Sequence, residues 1–475
     1  MENEKYKTTI GLEIHAELKT KSKMFCDCKN DPDKKSPNVN VCPVCLAHPG
    51  VLPTINRQAV EFVVKLGLAL GGKIPEHSKF DRKSYFYPDL PKGYQISQYD
   101  EPLVSGGILN GVHLTRIHLE EDTGRLQHSL PAGRQGSKNS SLVDFNRAGV
   151  PLMELVTEPD IKSADEALAF AKELQLTLRY LGISDADMEK GQMRVEANVS
   201  VSKGSELGTK VEVKNLNSFQ SVKGAIEYEV KRHIEALEKG EKIVQATAGW
   251  DTVKGVTYIQ RIKENAHDYR YMPEPDLPPL EITADVLERL KRDIPELPSE
   301  KRVRFVKEYG LSETQANTLS FDRDIAEFYE ETMSEKEKAS AELVFNYLTS
   351  DFLGLVNAAQ ITPKESKITP AKFADLLDLV EEGTLNSRKA KDVLKEMWET
   401  GLDPHDIKDS VSQITDTSAL KETVIKIIEA NPKAVEDYKK GKGNSLQFLI
   451  GKAMAELKGR GDPELLRKIF EENLN

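Results

Sequence analysis

The sequence predicts an α+β fold: a mixed-sheet domain over residues 1–294, an all-α helical domain over 295–403 and a small all-α tail over 404–475. Three observations carry this. Period-two alternation of apolar and polar residues recurs in the first half, at 10–18, 193–201 and 210–214. From Pro295 onward the apolar spacing is helical throughout, with Pro295 and Pro298 at the change. A further break falls at Gly401-Leu402-Asp403-Pro404. A chain of 475 residues has room for these parts.

Residues 10–18, Ile-Gly-Leu-Glu-Ile-His-Ala-Glu-Leu, read as a half-buried strand. Ile10, Leu12, Ile14, Ala16 and Leu18 share one face, and Glu13, His15 and Glu17 share the other. Side chains on one face stand about 7 Å apart, so neighbours in the row reach a common ion only if other strands complete its shell. Two later stretches qualify: 115–124, with His118, Glu120, Glu121 and Asp122, and 150–156, where Glu154 stands alone in an apolar run. A carboxylate in such a run needs a counter-charge or a cation. The three segments together predict a divalent-cation site of hard oxygen donors. The plainer alternative is a set of solvated edge charges, with Glu154 meeting an arginine.

All four cysteines fall within twenty residues, Cys26, Cys28, Cys42 and Cys45. Two close-spaced pairs in a loop predict a four-thiolate structural zinc site, with no position left for substrate. A helix follows at 57–70 and stops at Gly71-Gly72. Residues 79–99 interleave six aromatics with three lysines and an arginine, among Pro and Gly. Long regular structure is not expected there; the rings either pin a loop or stack a base beside phosphate-binding cations. If the strand through Glu120 and Glu121 continues, the two point to opposite faces, and at most one joins His118. Ser163 to Glu166 reads as a capping box opening a helix to about Leu181, ended by Gly182.

Alternation at 193–201 puts Arg194, Glu196, Asn198 and Ser200 on one face, and 210–214 puts Lys210, Glu212 and Lys214 on one face. These segments read as paired antiparallel strands with a wet or ligand-facing side. Asn217 or Ser218 caps a helix to about Glu238. Helices are expected at 299–309, 321–331, 336–357, 370–381 and 387–399. In the tail, Lys439, Lys440, Lys442, Lys452, Lys458, Arg460, Arg467 and Lys468 oppose only Glu456, Asp462 and Glu464, a pattern suited to nucleic-acid phosphate or to a solvated helix face.

The net charge of −11 argues against a protein that coats nucleic acid, though not against a local basic surface. No run of eighteen apolar residues occurs and the N-terminus has no signal-peptide pattern, so a cytoplasmic protein is expected. Phosphate-loop, dinucleotide-fold and nucleophile-elbow motifs are missing. A nucleotide, if used, has to be held by carboxylates and metal on a sheet.

Gly-Leu-Glu-Ile-His at 11–15, Cys-Pro-Val-Cys at 42–45, Pro-Gly-Val-Leu-Pro at 49–53, the run 82–98, His-Leu-Glu-Glu-Asp at 118–122, Val-Glu-Val-Lys-Asn-Leu-Asn-Ser-Phe at 211–219 and Asp-Tyr-Arg-Tyr-Met-Pro-Glu-Pro-Asp at 268–276 carry a resemblance. The chain resembles, essentially end to end, the GatB family, the B subunits of the glutamyl/aspartyl-tRNA amidotransferases. The resemblance implies a cradle domain, a helical domain and a YqeY-like tail that touches tRNA. It implies ATP- and Mg2+-dependent phosphorylation of the side-chain carboxyl of glutamate or aspartate misacylated onto tRNA(Gln) or tRNA(Asn). Ammonia from a glutaminase subunit, GatA, then displaces the phosphate, and a small third subunit, GatC, contacts both partners. By motif position it implies Glu13, His15, Glu121 and Glu154 as the catalytic and magnesium set, with Glu120 as a further acidic member. Arg82 and Lys83 are the candidates for neutralising the ATP phosphates. The zinc assignment rests on this sequence's own spacing. A non-catalytic tRNA-binding scaffold in the same complex is the alternative.

Overall fold

A computed structural model describes residues 5–127, 141–204, 206–262, 269–407, 417–439, 444–457 and 463–474. The chain divides into two compact units, Met1–Lys301 and Arg302–Asn475.

The first unit is built on strand β1 (Lys7–Glu17). The short strands β2 (Asp81–Ser84) and β3 (Tyr94–Ser97) follow, then β4 (Val104–Ser105), β5 (Ile108–Leu109), β6 (Val112–Glu121) and β7 (Pro151–Thr157). β8 (Met193–Ser202), β9 (Val211–Leu216), β10 (Ala246–Asp251), β11 (Val256–Ile262) and β12 (Met272–Pro273) complete the set used below. The main sheet has nine strands in the order β11-β10-β9-β8-β1-β7-β6-β4, with β5 on β6. The β9–β10 pair is parallel and the other pairs are antiparallel, so the sheet is mixed as expected. A three-stranded sheet, β12-β2-β3, brings the aromatic stretch alongside.

The period-two reading of β1 holds. Ile10, Leu12, Ile14 and Ala16 are fully buried in one core with Val63, Phe170, Leu174, Val222 and Ile226. Those partners come from helices α1 (Arg57–Ala69), α2 (Ala164–Tyr180) and α3 (Phe219–Glu238). Each buried Ile or Leu contributes about 1.5–3 kcal/mol relative to exposure, which fixes the register and turns Glu13, His15 and Glu17 to the other side. Gly71 (φ +69°) ends α1 and Gly182 (φ +69°) follows α2, both in the left-handed region where glycine is favoured. The box at Ser163 is only half formed. Ser163 Oγ accepts from Glu166 N–H at 3.1 Å, but the Glu166 carboxylate caps Lys162 N–H instead of Ser163.

The second unit is helical. Its segments Arg323–Glu335, Pro370–Glu381 and Ser387–Thr400 match the expected helices within a few residues. The expected helix 336–357 starts only at Ala341, where Ser340 Oγ accepts from Leu343 N–H, and contains a π-helical turn at Leu348–Phe352. Phe352 stacks on Phe328 at 4.6 Å between ring centres, inside a core that includes Phe373 and Leu394. Helices Thr417–Ala430, Pro432–Lys439, Asn444–Glu456 and Pro463–Leu474 share a separate core of Leu420, Val424, Leu449 and Phe470. Among the described residues, no helix is long and apolar enough to cross a membrane.

Candidate active site

Register assembles the polar face. Glu13 of β1 pairs with Glu196 of β8, and His15 pairs with Arg194 on that side and with Glu154 of β7 on the other. Glu154 in turn faces His118 of β6, and Leu152 faces Glu120. Because alternate residues share a face, His15, Glu154, His118 and Glu120 all point the same way. His15 Nε2 lies 3.4 Å from Glu154 Oε2, 3.5 Å from Glu120 Oε1 and 3.9 Å from Glu13 Oε1. His118 Nε2 also reaches Glu154 at 3.4 Å, and Arg116 approaches its other oxygen at 3.7 Å.

The charges respond to this crowding. Burial pushes the Glu13 carboxyl up to about 7, with Glu154's charge adding to it. Burial works against a charged His15, yet the hydrogen bond and charge of Glu154, then Glu120 and Glu13, outweigh it and raise His15 to about 9. Glu154 is held well below the usual carboxylate range; burial opposes this, and His118 and His15 overcome it. The protonated imidazole is thus the positive centre of a carboxylate nest. A divalent ion would take over that role and release the proton.

Two donor groups fit such an ion. His15, Glu120 and Glu154 bring ligand atoms within 4.8 Å of one another, and Glu13, His15 and Glu196 do the same. Oxygen donors with one imidazole suit Mg2+ or Mn2+. His118 and Glu196 were visible in the alternation but were not among the expected site residues. Lys214 Nζ sits beside the second group, 2.7 Å from Glu196 and 3.4 Å from Glu212.

The structure separates Glu121 from this nest. Odd parity turns it to the other face, where Lys92 Nζ lies 2.6 Å away and Ile96 N–H donates at 3.0 Å. It lines a cavity of about 260 Å³ together with Cys26, Cys45, His48 and Lys92. Glu120, the further acidic member, is the one that joins His15 and Glu154. Arg82 and Lys83 separate in the same manner. Arg82 makes two 2.8 Å bonds to Glu274 and lies 4.4 Å from the Tyr94 ring centre. Lys83 is turned toward the nest: burial disfavours its charge, but Glu120 and Glu154 raise its pKa well above the usual lysine value. Tyr269 and Tyr271 flank it, with Tyr271 stacked on Tyr99 at 4.1 Å.

Cys26, Cys28, Cys42 and Cys45 converge as the spacing predicts, with all four sulfurs within 4.8 Å of one another. Cys42 and Cys45 stand 3.9 Å apart, close to the ~3.8 Å edge of a tetrahedron with 2.3 Å Zn–S bonds. A hydrogen bond from Cys26 lowers Cys45 to about 5, and buried Lys23, 3.8 Å away, supplies a counter-charge. The four-sulfur set is therefore compatible with a metal site. In the tail, Lys439 and Lys452 are exposed, Lys452 lying 5.7 Å from the ring centre of Phe448. Lys440, Lys442, Lys458 and Arg460 lie outside the described residues.

Residues 8–288 match the family profile described as the GatB/GatE catalytic domain, and residues 327–474 match the GatB domain. The B subunit of the aspartyl/glutamyl-tRNA(Asn/Gln) amidotransferase of Moorella thermoacetica is 47% identical over 482 residues, 99% of this chain and 100% of the relative. Those of Rippkaea orientalis (45%, covering 99% and 98%) and Carboxydothermus hydrogenoformans (46%, covering 99% and 99%) are similar over the same extent. With both parts matched and relatives aligned from end to end, the chain belongs to the GatB family, the B subunits of multi-subunit tRNA amidotransferases.

Proposed function

We propose that this chain uses ATP to phosphorylate the side-chain carboxyl of Glu-tRNA(Gln), Asp-tRNA(Asn) or both, and then exchanges phosphate for ammonia. The observation that carries the reading is the convergence of Glu13, His15, Glu120, Glu154 and Glu196 on one sheet face. Mg2+ held there would neutralise the ATP phosphates and favour attack by a carboxylate. The chain's own residues do the rest. Glu120 and Glu154 offer preorganised oxygens, His15 would lose its proton to solvent on binding the ion, and Lys83 adds a fixed positive charge on the same side. Arg82, held by Glu274, braces β2 rather than meeting phosphate.

The four clustered thiols are assigned to a structural zinc ion, which leaves no thiol for glutamine hydrolysis. That supports a GatA-type glutaminase as the ammonia source, with a GatC-type small subunit in the same complex. Lys439, Lys440, Lys442, Lys452, Lys458 and Arg460 are assigned to tRNA phosphates. The parcelling is a cradle at 1–294, a helical domain at 295–403 and a YqeY-like tail at 404–475, in a cytoplasmic enzyme.

The test is a pair of variants in the reconstituted complex, Glu120→Gln and Glu121→Gln, assayed for tRNA-dependent ATP cleavage and for tRNA binding. E120Q is expected to lose at least about a hundredfold in ATP cleavage with tRNA binding intact, and E121Q to lose less. A purely scaffolding role would leave E120Q at wild-type turnover, which would end the reading.

A further inference from the structure

We propose that Lys214 is a built-in cation that weakens divalent-ion binding on the Glu13–Glu196 side of the nest, so that the two ion positions fill in a fixed order. The proposal rests on the magnesium-dependent reading above.

The two donor groups share His15. One imidazole nitrogen ligates one ion, so they compete for it. The Glu120–Glu154 group has the shorter contacts to His15 Nε2, 3.5 and 3.4 Å against 3.9 Å for Glu13. Its carboxylates are also the better shielded, with side chains 3% and 6% exposed against 28% for Glu13. That group therefore takes the first ion. The Glu13–Glu196 side is left with carboxylates and water, and there the lysine intervenes.

Lys214 is placed by a specific backbone device. Val195 pairs with Leu216 and Ala197 with Val213, so β9 carries one residue more than β8 between these pairs. The extra residue lies at Lys214–Asn215, and Asn215 takes φ +58°, a left-handed conformation that asparagine tolerates better than most residues. The bulge sets Nζ 2.7 Å from Glu196 Oε2 and 3.4 Å from Glu212 Oε1. Glu212 is held on its other side by Thr247 Oγ1 at 3.1 Å. An ammonium bonded to a ligand carboxylate draws off negative charge and repels an arriving divalent ion a few ångströms away. Mg2+ commonly binds through one or two carboxylates and completes its shell with water and substrate phosphates. A position weakened in this manner fills when a nucleotide supplies those oxygens, and stays open before.

The test is an Mn2+ titration of the assembled complex without nucleotide, read by electron paramagnetic resonance of free Mn2+. Wild type is expected to show one tight and one weak class. In K214M and K214Q the weak class tightens by about tenfold or more while the tight class, an internal control for folding, is unchanged. K214R keeps the charge and behaves as wild type. An unchanged or weakened second class in K214M and K214Q overturns the proposal while the tight class keeps the site reading. Absence of any Mn2+ class in wild type and variants overturns both.

Discussion

The cysteine cluster yields a stability prediction that needs no assay of catalysis. Replacing one ligand from each pair, Cys28→Ser with Cys42→Ser, removes the means of holding an ion. The ligands span Cys26 to Cys45, a loop of twenty residues. Cross-linking a loop of that length removes about 3 kcal/mol of chain entropy from the unfolded state, and a tetrahedral ion bound at both ends acts as such a link. The unit containing the loop runs from Met1 to Lys301. With about 2 cal/mol/K of unfolding entropy per residue, its melting temperature should fall by about 5 °C. Differential scanning calorimetry measures the shift, and elemental analysis should give one zinc per wild-type chain and none in the double variant. Zinc retained by the double variant, or melting temperatures within about 1 °C of each other, would refute the reasoning.

Two further substitutions probe buried charges. Lys92→Met leaves Glu121, 3% exposed, without its lysine. Unfolding free energy from denaturant titration should drop by about 3 kcal/mol, the low end for a broken buried pair, because Ile96 N–H still donates to the carboxylate. A loss below about 1 kcal/mol would mean that water reaches Glu121. On α3, Glu229 accepts from Arg232 and Thr257, and His233 Nε2 lies 3.2 Å away. Burial opposes its charge, but these partners lower its carboxyl to about 2 from 4.5. A depressed folded-state value stabilises above the unfolded value, so the contribution is complete above pH 4.5 and lost as pH falls toward 2. The difference in stability between wild type and Glu229→Gln should shrink by about 3 kcal/mol across that window; a pH-independent difference would contradict the assignment.

How much of this was legible in the sequence depended on whether a local period decided the matter. The first strand was, since apolar residues at every second position leave only one face for Glu13 and His15. The clustering of the cysteines was, because two close-spaced pairs in one loop bring four sulfurs together. Glu120 and Glu121 were only half so: alternation allows one of them on His118's face if the strand runs on, and the pairing of Leu152 with Glu120 and Pro151 with Glu121 shows that it does. Arg82 and Lys83 posed the same problem. Glu196 lay on the correct face of the predicted strand, but its role depends on standing opposite Glu13, a pairing between residues far apart in sequence. The strands Ala246–Asp251 and Val256–Ile262 were missed because the first holds Ala, Gly and Trp without alternation and the second is exposed over Tyr258–Ile262. Helices Ala284–Arg292 and Glu313–Ser320 were also missed, being short and polar, with few buried residues to mark a face. The start at Ala341 rather than 336 shows a hydroxyl cap overriding a charged stretch that is itself a good helix former.

Order of strands also has a biosynthetic consequence. β1 is made first, yet its neighbours in the sheet are β7 and β8, which begin at Pro151 and Met193. Until the ribosome has delivered both, the earliest-made segment has neither of its lateral partners, and its acidic side chains face water. Contacts of such long sequence separation form late and at an entropic disadvantage. A nascent or truncated polypeptide ending before the eighth strand therefore lacks Glu196 and the pairing that sets it opposite Glu13, and the polar face is complete only once both neighbours have joined the older strand.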